Sequence, residues 1–406
     1  MKTQSQARRV YHASRGLTRR QRQRRSLILL CVAVCTIFGS WASIGTLTEP
    51  GTASLGVKFV EWVRGNGGAS FVAFLENTWY SLNAPPVGGK PPKGALNPTI
   101  DKNAAAAASS NAIHLPEPAP IKPFVNPPLP NEGKWSPEGP LVHGIPSLYV
   151  TLMRPDPIHT SLVAGVAWMD PHLINFLQFA GAQEPPGGQH WPYMSPIPSG
   201  IANQLVASFN SGFRMQDANG GYYAYGQTAV PLRNGAASFV IYQNGTPNIV
   251  VWNSGSKVPS SIAVVRQNLI PLITNGKINP LVNSTNFALW GATVGNQLLV
   301  WRSGVGVTKN GALIYASGPG LSVASLANLL KRAGAVSAME MDINSDWTNF
   351  FYFNHQLGQP ASPTNGFRLV YNMLRPPQRY FEGTARDFVV AEARTTPLRG
   401  KLLSAT

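Results

Sequence analysis

Only 17 of the 406 residues are Asp or Glu, yet Glu340, Asp342 and Asp346 fall within seven positions of "MEMDINSDW", Met339 to Trp347. On a strand, alternate side chains share a face. Glu340 and Asp342 are therefore expected on one side, with Met339 and Met341 entering a core on the other. Two carboxylates at a strand end suit glycosidic cleavage, one donating a proton while the other acts as base or nucleophile. Like charges held close also raise one pKa, which a general acid requires. The same oxygens, joined by those of Asn344 and Asp346, equally suit a divalent cation such as Ca2+ or Mg2+. A solvated strand end followed by a polar turn is the third reading, and the local string leaves all three open. Beyond that optional cation the sequence names no cofactor.

Two further stretches offer anion chemistry. "SFNSGFRM" (208–215) is a strand leading into Asn210-Ser211-Gly212, where Asn and Gly permit a sharp turn and Arg214 supplies a two-pronged anion ligand. "SGPGLS" (317–322) is expected as a Gly-rich loop entering a helix N-terminus, which favours phosphate; Arg266 and Arg302 are available as countercharge. The seven histidines are scattered, with no pair at metal-ligand spacing, and neither G-x-S-x-G nor a phosphate-binding G-x-x-x-x-G-K-[ST] occurs. Zinc-hydrolase, common serine-hydrolase and P-loop readings are excluded on that ground.

The elements that must position these residues are mostly strands. "SLYVTLMRP" (147–155) and "QLVASFNSGF" (204–213) are β-rich runs bounded by turn formers. Asn244-Gly245 and Asn310-Gly311 each sit between two such runs and predict tight hairpins. "SVASLANLLKRAG" (322–334) is the clearest helix, with Ser322 as N-cap, one Leu/Val stripe, and Gly334 as terminator. A strand, 335–343, follows. The expectation is an α+β (mixed α/β) domain over 135–392, built on a mixed, hairpin-rich sheet with few helices, and a frayed tail over 393–406.

Upstream, the charge of +16 concentrates in residues 1–25, which hold nine Lys or Arg and no acid, leaving +7 for the remainder. Nucleic-acid binding is therefore not expected of the folded body. Residues 26–47 carry no charge and are long enough to cross a bilayer as a helix. The reading is a basic cytoplasmic tail (1–25), a single-pass signal-anchor helix (26–48) in a bacterial plasma membrane, and an extracytoplasmic remainder. "SWASIG" is an alternative cleavage site. Both cysteines, Cys31 and Cys35, fall in the apolar stretch, so the exported part is expected to lack disulfides. Residues 49–134 read as a juxtamembrane segment and a Pro/Ala-rich stalk, because 15 of the 35 prolines lie between Ala84 and Pro146 and such chain is extended and semi-rigid.

Taken in order, these pieces resemble the phosphodiester glycosidase family. Asn210-Ser211-Gly212-Phe213 stands for its "NGGFF"-like turn and "RQNLIPLITNG" (266–276) for a Gly/Pro-bearing stretch. "RSGVGVTKNGALIY" (302–315) stands for an Arg followed by a hairpin, and "EMDINSDW" for a strand closing in "LDGGGS". The resemblance covers roughly Val206 to Phe353. It places Asn210, Gly212, Arg302 and Asp342 at family motif positions, with Ser211 for a Gly, Arg214 for an aromatic, and Ile343-Asn344-Ser345 for the triple Gly. It implies a hydrolase that cleaves a sugar-1-phosphodiester in a cell-envelope glycan. Side-chain chemistry assigns Asp342 as nucleophile or base and Glu340 as acid. Asn210, Gly212, Arg214, Arg302, Asn344 and Asp346 are assigned to bind substrate; Asp342, Asn344 and Asp346 would take a metal. The alternative is a non-catalytic glycan-binding protein on the same fold.

Overall fold

The two Asn-Gly dipeptides turn the chain where their backbone preference predicts. Asn244-Gly245 joins β8 (Ala237–Tyr242) to β9 (Pro247–Val251), and Asn310-Gly311 joins β13 (Val300–Thr308) to β14 (Leu313–Leu321). Gly245 and Gly311 have φ of +75° and +91°, which a residue without a Cβ adopts at no steric cost. The computed structural model describes residues 44–45, 47–48, 51–97, 112–188, 190–284, 286, 289–291, 299–400 and 402. The basic tail, Cys31, Cys35 and nearly all of the apolar stretch lie outside these. Among the described residues no helix is long and apolar enough to cross a membrane.

Among the described residues, three sheets make up the body. The largest runs β1 (Ser136–Val142), β2 (Ile145–Met153), β3 (Ala164–Met169), β14, β13, β15 (Ala335–Glu340), β11 (Pro271–Thr274), β12 (Lys277–Ile278). The second runs β7 (Gln227–Val230), β6 (Tyr222–Ala224), β10 (Ile262–Gln267), β8, β9. The third runs β17 (Gly366–Arg368), β16 (Phe350–Phe353), β5 (Leu205–Asn210), β18 (Phe388–Ala393), β4 (Ile174–Phe179). The hairpin-rich, helix-poor expectation holds, but the sheets are not mixed. Their strands pair antiparallel throughout, because most connections here are too short for a parallel crossover.

One of the crossovers between parallel strands of a sheet runs through a ten-residue helix. The helix Val323–Arg332 carries the chain from β14 to β15 on the far side of β13. Ser322 and Ser325 cap its start reciprocally, and Leu326, Leu329 and Leu330 are fully buried against the sheet. Gly304 leaves room beneath them, since a Cβ there would meet the Met339 carbonyl at 2.9 Å. On the other face of β15, Met339 joins Met341, Phe209, Tyr315 and Phe350 in a core shared by all three sheets.

Two upstream segments are more ordered than a stalk. Residues 115–135 strap the body: Ile121 is buried, Arg332 donates to the carbonyls of Lys122 and Pro123, and Glu132 pairs with Arg154 at 2.6 Å. Apolar residues between the prolines provide the attachment. Helices Leu55–Val63 and Ala69–Leu82 form a hairpin, bent at Asn66 and Gly67, whose leading end is tied down by Thr52 to Glu382.

The crossover helix gives a direct stability test. Leu330→Ala is expected to lower unfolding stability by about 2–5 kcal/mol in urea titration, the usual cost of a cavity in a packed core. A cost near zero would show that the helix is not held by this contact.

Candidate active site

The ends of β5, β15, β16 and β18 come together, and Asn210 is the peg between them. Its Oδ1 accepts from the Tyr315 hydroxyl at 2.7 Å and the Asn349 N–H at 3.0 Å; its Nδ2 donates to Ser303 Oγ at 3.0 Å and the Ser211 carbonyl at 2.8 Å. A buried amide with every group satisfied is a rigid junction. The neighbouring Gly212 is needed for close approach, because a Cβ there would sit 3.1 Å from the Asn268 side chain.

Asp342 is pinned through its backbone at this junction. Its carbonyl accepts from the Ser303 N–H (3.1 Å), Ser303 Oγ (2.7 Å) and Thr348 Oγ1 (3.1 Å), and its N–H donates to the Ser211 carbonyl (3.3 Å). The turn that follows is built from side-chain acceptors. Asp342 Oδ1 accepts from the Asn344 N–H at 3.0 Å, and Asn344 Oδ1 accepts from the Asp346 N–H at 2.9 Å. Successive Asx turns of this kind need no left-handed residue, and none of Ile343, Asn344 and Ser345 has a positive φ. Ile343 is buried in the central core, which is the physical use of an apolar residue at the place of a Gly.

The free side of Asp342 meets arginine. Arg386 Nη1 lies 3.3 Å from Asp342 Oδ2, and its guanidinium stacks 3.7 Å above the Trp347 ring. Burial pushes the Asp342 carboxyl above its ordinary range, against the pull of Arg386. Burial likewise lowers Arg386 and brings Arg214 down to about 10. Arg386 Nη2 also reaches Glu61 Oε2 at 2.8 Å, and Arg214 Nη2 pairs with that same oxygen. A carboxylate from the N-terminal helical hairpin therefore occupies the anion-binding fork of two arginines beside Asp342. Asn210, Ser211, Gly212, Asp342, Trp347, Tyr380, Arg379, Arg386 and Asp387 border a cleft of about 10 Å3, room for roughly one water.

Not every expected residue arrives here. Glu340 turns beneath the crossover helix and pairs with Arg302 at 2.5 Å, both of them buried; Arg302 Nε donates to the Leu321 carbonyl. Burial lifts the Glu340 carboxyl to about 7 in spite of that partner. The alternation rule therefore placed Met339 and Met341 correctly but not Asp342, because β15 ends at Glu340 and the chain swings out of strand geometry. Asp346 faces Arg375, 3.4 Å away, instead of the cleft. "SGPGL" is the end of β14, not a loop: Gly318 packs on Ala164, where a Cβ would come within 2.9 Å. Arg266 is fully buried against Asp387 at 2.8 Å. Asn344 and Asp346 spend their nearest groups on the turn and on Arg375, and no three His, Cys, Asp or Glu side chains among the described residues form a metal-ligand group. The arginines around Asp342 suit an anion better than a cation.

Sequence reasoning missed Arg386, Asp387, Trp347, Arg379 and Glu61. "ARDFVV" did carry a signal, a charged pair just ahead of a β-rich run in a chain with only 12% charged residues. A roomier cleft of about 280 Å3 near Arg368 and Tyr371 contains no carboxylate.

Glu340→Ala leaves the Arg302 guanidinium buried without its partner. It is expected to lower stability by about 3–5 kcal/mol in denaturant titration, with most of the loss recovered by Glu340→Leu combined with Arg302→Met. Unchanged stability in the single variant would remove the pair from the scaffold.

Residues 203–374 match the phosphodiester glycosidase family. No curated protein matches the chain at a significant level. Among solved structures, the chain is similar to the zebrafish N-acetylglucosamine-1-phosphodiester alpha-N-acetylglucosaminidase catalytic domain, described as auto-inhibited by pro-peptide. Identity is 16% over 63% of this chain and 87% of that one, with a TM-score of 0.39. A hypothetical protein from Synechocystis is 13% identical over 64% of each chain, at a TM-score of 0.35. Over residues 203–374, the chain is thus similar to the phosphodiester glycosidase family, a family of hydrolases.

Proposed function

We propose that the chain is a membrane-anchored, extracytoplasmic hydrolase that cleaves the bond between a sugar C1 and a phosphodiester in a cell-envelope glycan. The observation that carries this reading is the fork of Arg214 and Arg386 beside Asp342, holding an anion in the shape of the Glu61 carboxylate. With Glu61 displaced, the same fork binds the substrate phosphate and sets C1 next to Asp342. The Asp342 carboxylate takes a proton from water as the water oxygen bonds to C1. The C1–O bond breaks, and its electron pair leaves on the phosphate oxygen.

This leaving group changes what a second carboxyl has to do. A departing phosphate monoester has a second pKa near 6, far below that of a sugar alcohol, so it leaves without a strong proton donor. Arginine charge stabilises it instead. Glu340, held under the helix with Arg302, is then a positioning group for the end of β15 in place of an acid. Glu184 is a second carboxyl in electrostatic reach of Arg386, raised by burial to about 7; the leaving-group chemistry does not require it. The tail, the apolar stretch 26–48 and the export of the body complete the proposal on sequence grounds. A non-catalytic glycan-binding protein is the second reading, favoured by the covered cleft.

Three outcomes test this with a synthetic sugar-1-phosphodiester. Asp342→Asn is expected to reduce kcat by about 10^2- to 10^4-fold without loss of fold; full turnover in that variant rules Asp342 out. Because burial raises Asp342 and the carboxylate is the working form, kcat/KM should fall with acid on a limb lying above the ordinary Asp value of about 3.9. A limb at or below that value contradicts the assignment. Glu61→Gln should tighten inorganic phosphate binding by roughly tenfold, since the competing charge is gone; binding of the substrate without any cleavage would favour the second reading.

A further inference from the structure

The hairpin that carries Glu61 has a second face. On the helix Ala69–Leu82, Phe71, Phe74, Leu75, Trp79 and Leu82 are exposed, at spacings that form one helical stripe. Phe59 is also exposed, at 49%, on the preceding helix. Seven of the fifteen exposed large hydrophobic side chains among the described residues fall between Leu55 and Leu82, so the concentration is local. The other side is turned to the body: Val72 is buried, Glu61 meets Arg214 and Arg386, and Arg64 pairs with Glu76 at 2.5 Å. No charge lies on the outer stripe.

We propose that residues 55–82 form a membrane-interface cap, with the Phe/Trp stripe resting at the lipid boundary while the inner face covers the Asp342 cleft. The inference rests on the reading of residues 26–47 as a membrane anchor. Seven residues separate that charge-free stretch from Leu55, a tether short enough for the hairpin to reach the bilayer surface. Apolar and aromatic stripes of this kind lie in the headgroup region, where Trp is favoured for its amphipathic ring. Lys58, Glu61, Arg64 and Glu76 cancel in charge, so attachment is by apolar insertion and neutral lipid suffices. The cleft under the hairpin then faces the membrane.

The test uses the full chain in vesicles of phosphatidylcholine, with Cys31→Ser and Cys35→Ser and one new cysteine, labelled with an environment-sensitive fluorophore. The sites are Phe74→Cys, Trp79→Cys and, as control, Lys309→Cys in an exposed turn. Vesicles should shift the emission of the labels at 74 and 79 to the blue and leave the label at 309 unchanged. If 74 and 79 behave like 309 while the chain stays with vesicles through an alkaline carbonate wash, the anchor stands and the cap is overturned. If carbonate strips the chain but 74 and 79 still shift with vesicles, the cap stands and the anchor falls. A blue shift that grows with protein concentration in the absence of lipid assigns the stripe to a second copy of the chain and overturns the proposal.

Discussion

Arg386 carries a full charge in a place with almost no water, 7% exposed. Removing an ion from water costs several kcal/mol unless partners replace the solvent, and the surrounding architecture supplies three. Asp342 stands at 3.3 Å, Glu61 at 2.8 Å, and the Trp347 ring lies 3.7 Å beneath the guanidinium. Each partner comes from a different element: the end of β15, the N-terminal hairpin, and the turn after Asp342. Moving any one of them leaves the buried guanidinium short of a partner, so the site and the segment covering it are coupled through this one side chain.

The same coupling explains why the turn at 343–348 keeps its shape without glycines. Asp342 is fixed by four backbone-centred hydrogen bonds, so the loop has only to bring Trp347 under Arg386 and Asn349 against Asn210. Asx turns at Asp342 and Asn344 do this with ordinary backbone angles, and Ile343 anchors the loop in the core. Ile343, Asn344 and Ser345 thus hold Asp342 in place by side-chain turns and core packing, without a glycine. A triple Gly would permit a backbone closer to a ligand; here side chains occupy that space, and the cleft is correspondingly narrow.

Much of this was legible in the chain. The Asn-Gly hairpins, the helix from Ser322 to Gly334 and the strands beside Asn210 and Asp342 follow from local turn chemistry and hydrophobic period, which act over a few residues. The pairing of Asn210 with Asp342 came from the order of motifs. What the sequence hid was long-range. Arg386 lies 44 residues from Asp342 and Glu61 lies 325 from Arg386, and no periodicity links them. Glu340 and Asp342 part company because the strand expected over 335–343 stops three residues earlier, at Glu340. Arg302 goes with Glu340, because a buried ion pair under a helix looks in sequence like two free site charges. The strap 115–135 was hidden by its prolines, which mark extended chain without saying what it lies against.

The central claim is that Arg214 and Arg386 form one anion site and that Glu61 holds the place of a phosphate in it. A crystal structure of the Glu61→Gln protein soaked with a sugar-1-phosphate tests this most directly. The expected result is the phosphate between the two guanidinium groups, with C1 of the sugar against the Asp342 carboxylate. A phosphate bound elsewhere, with Arg214 and Arg386 still engaged by the hairpin, would contradict it.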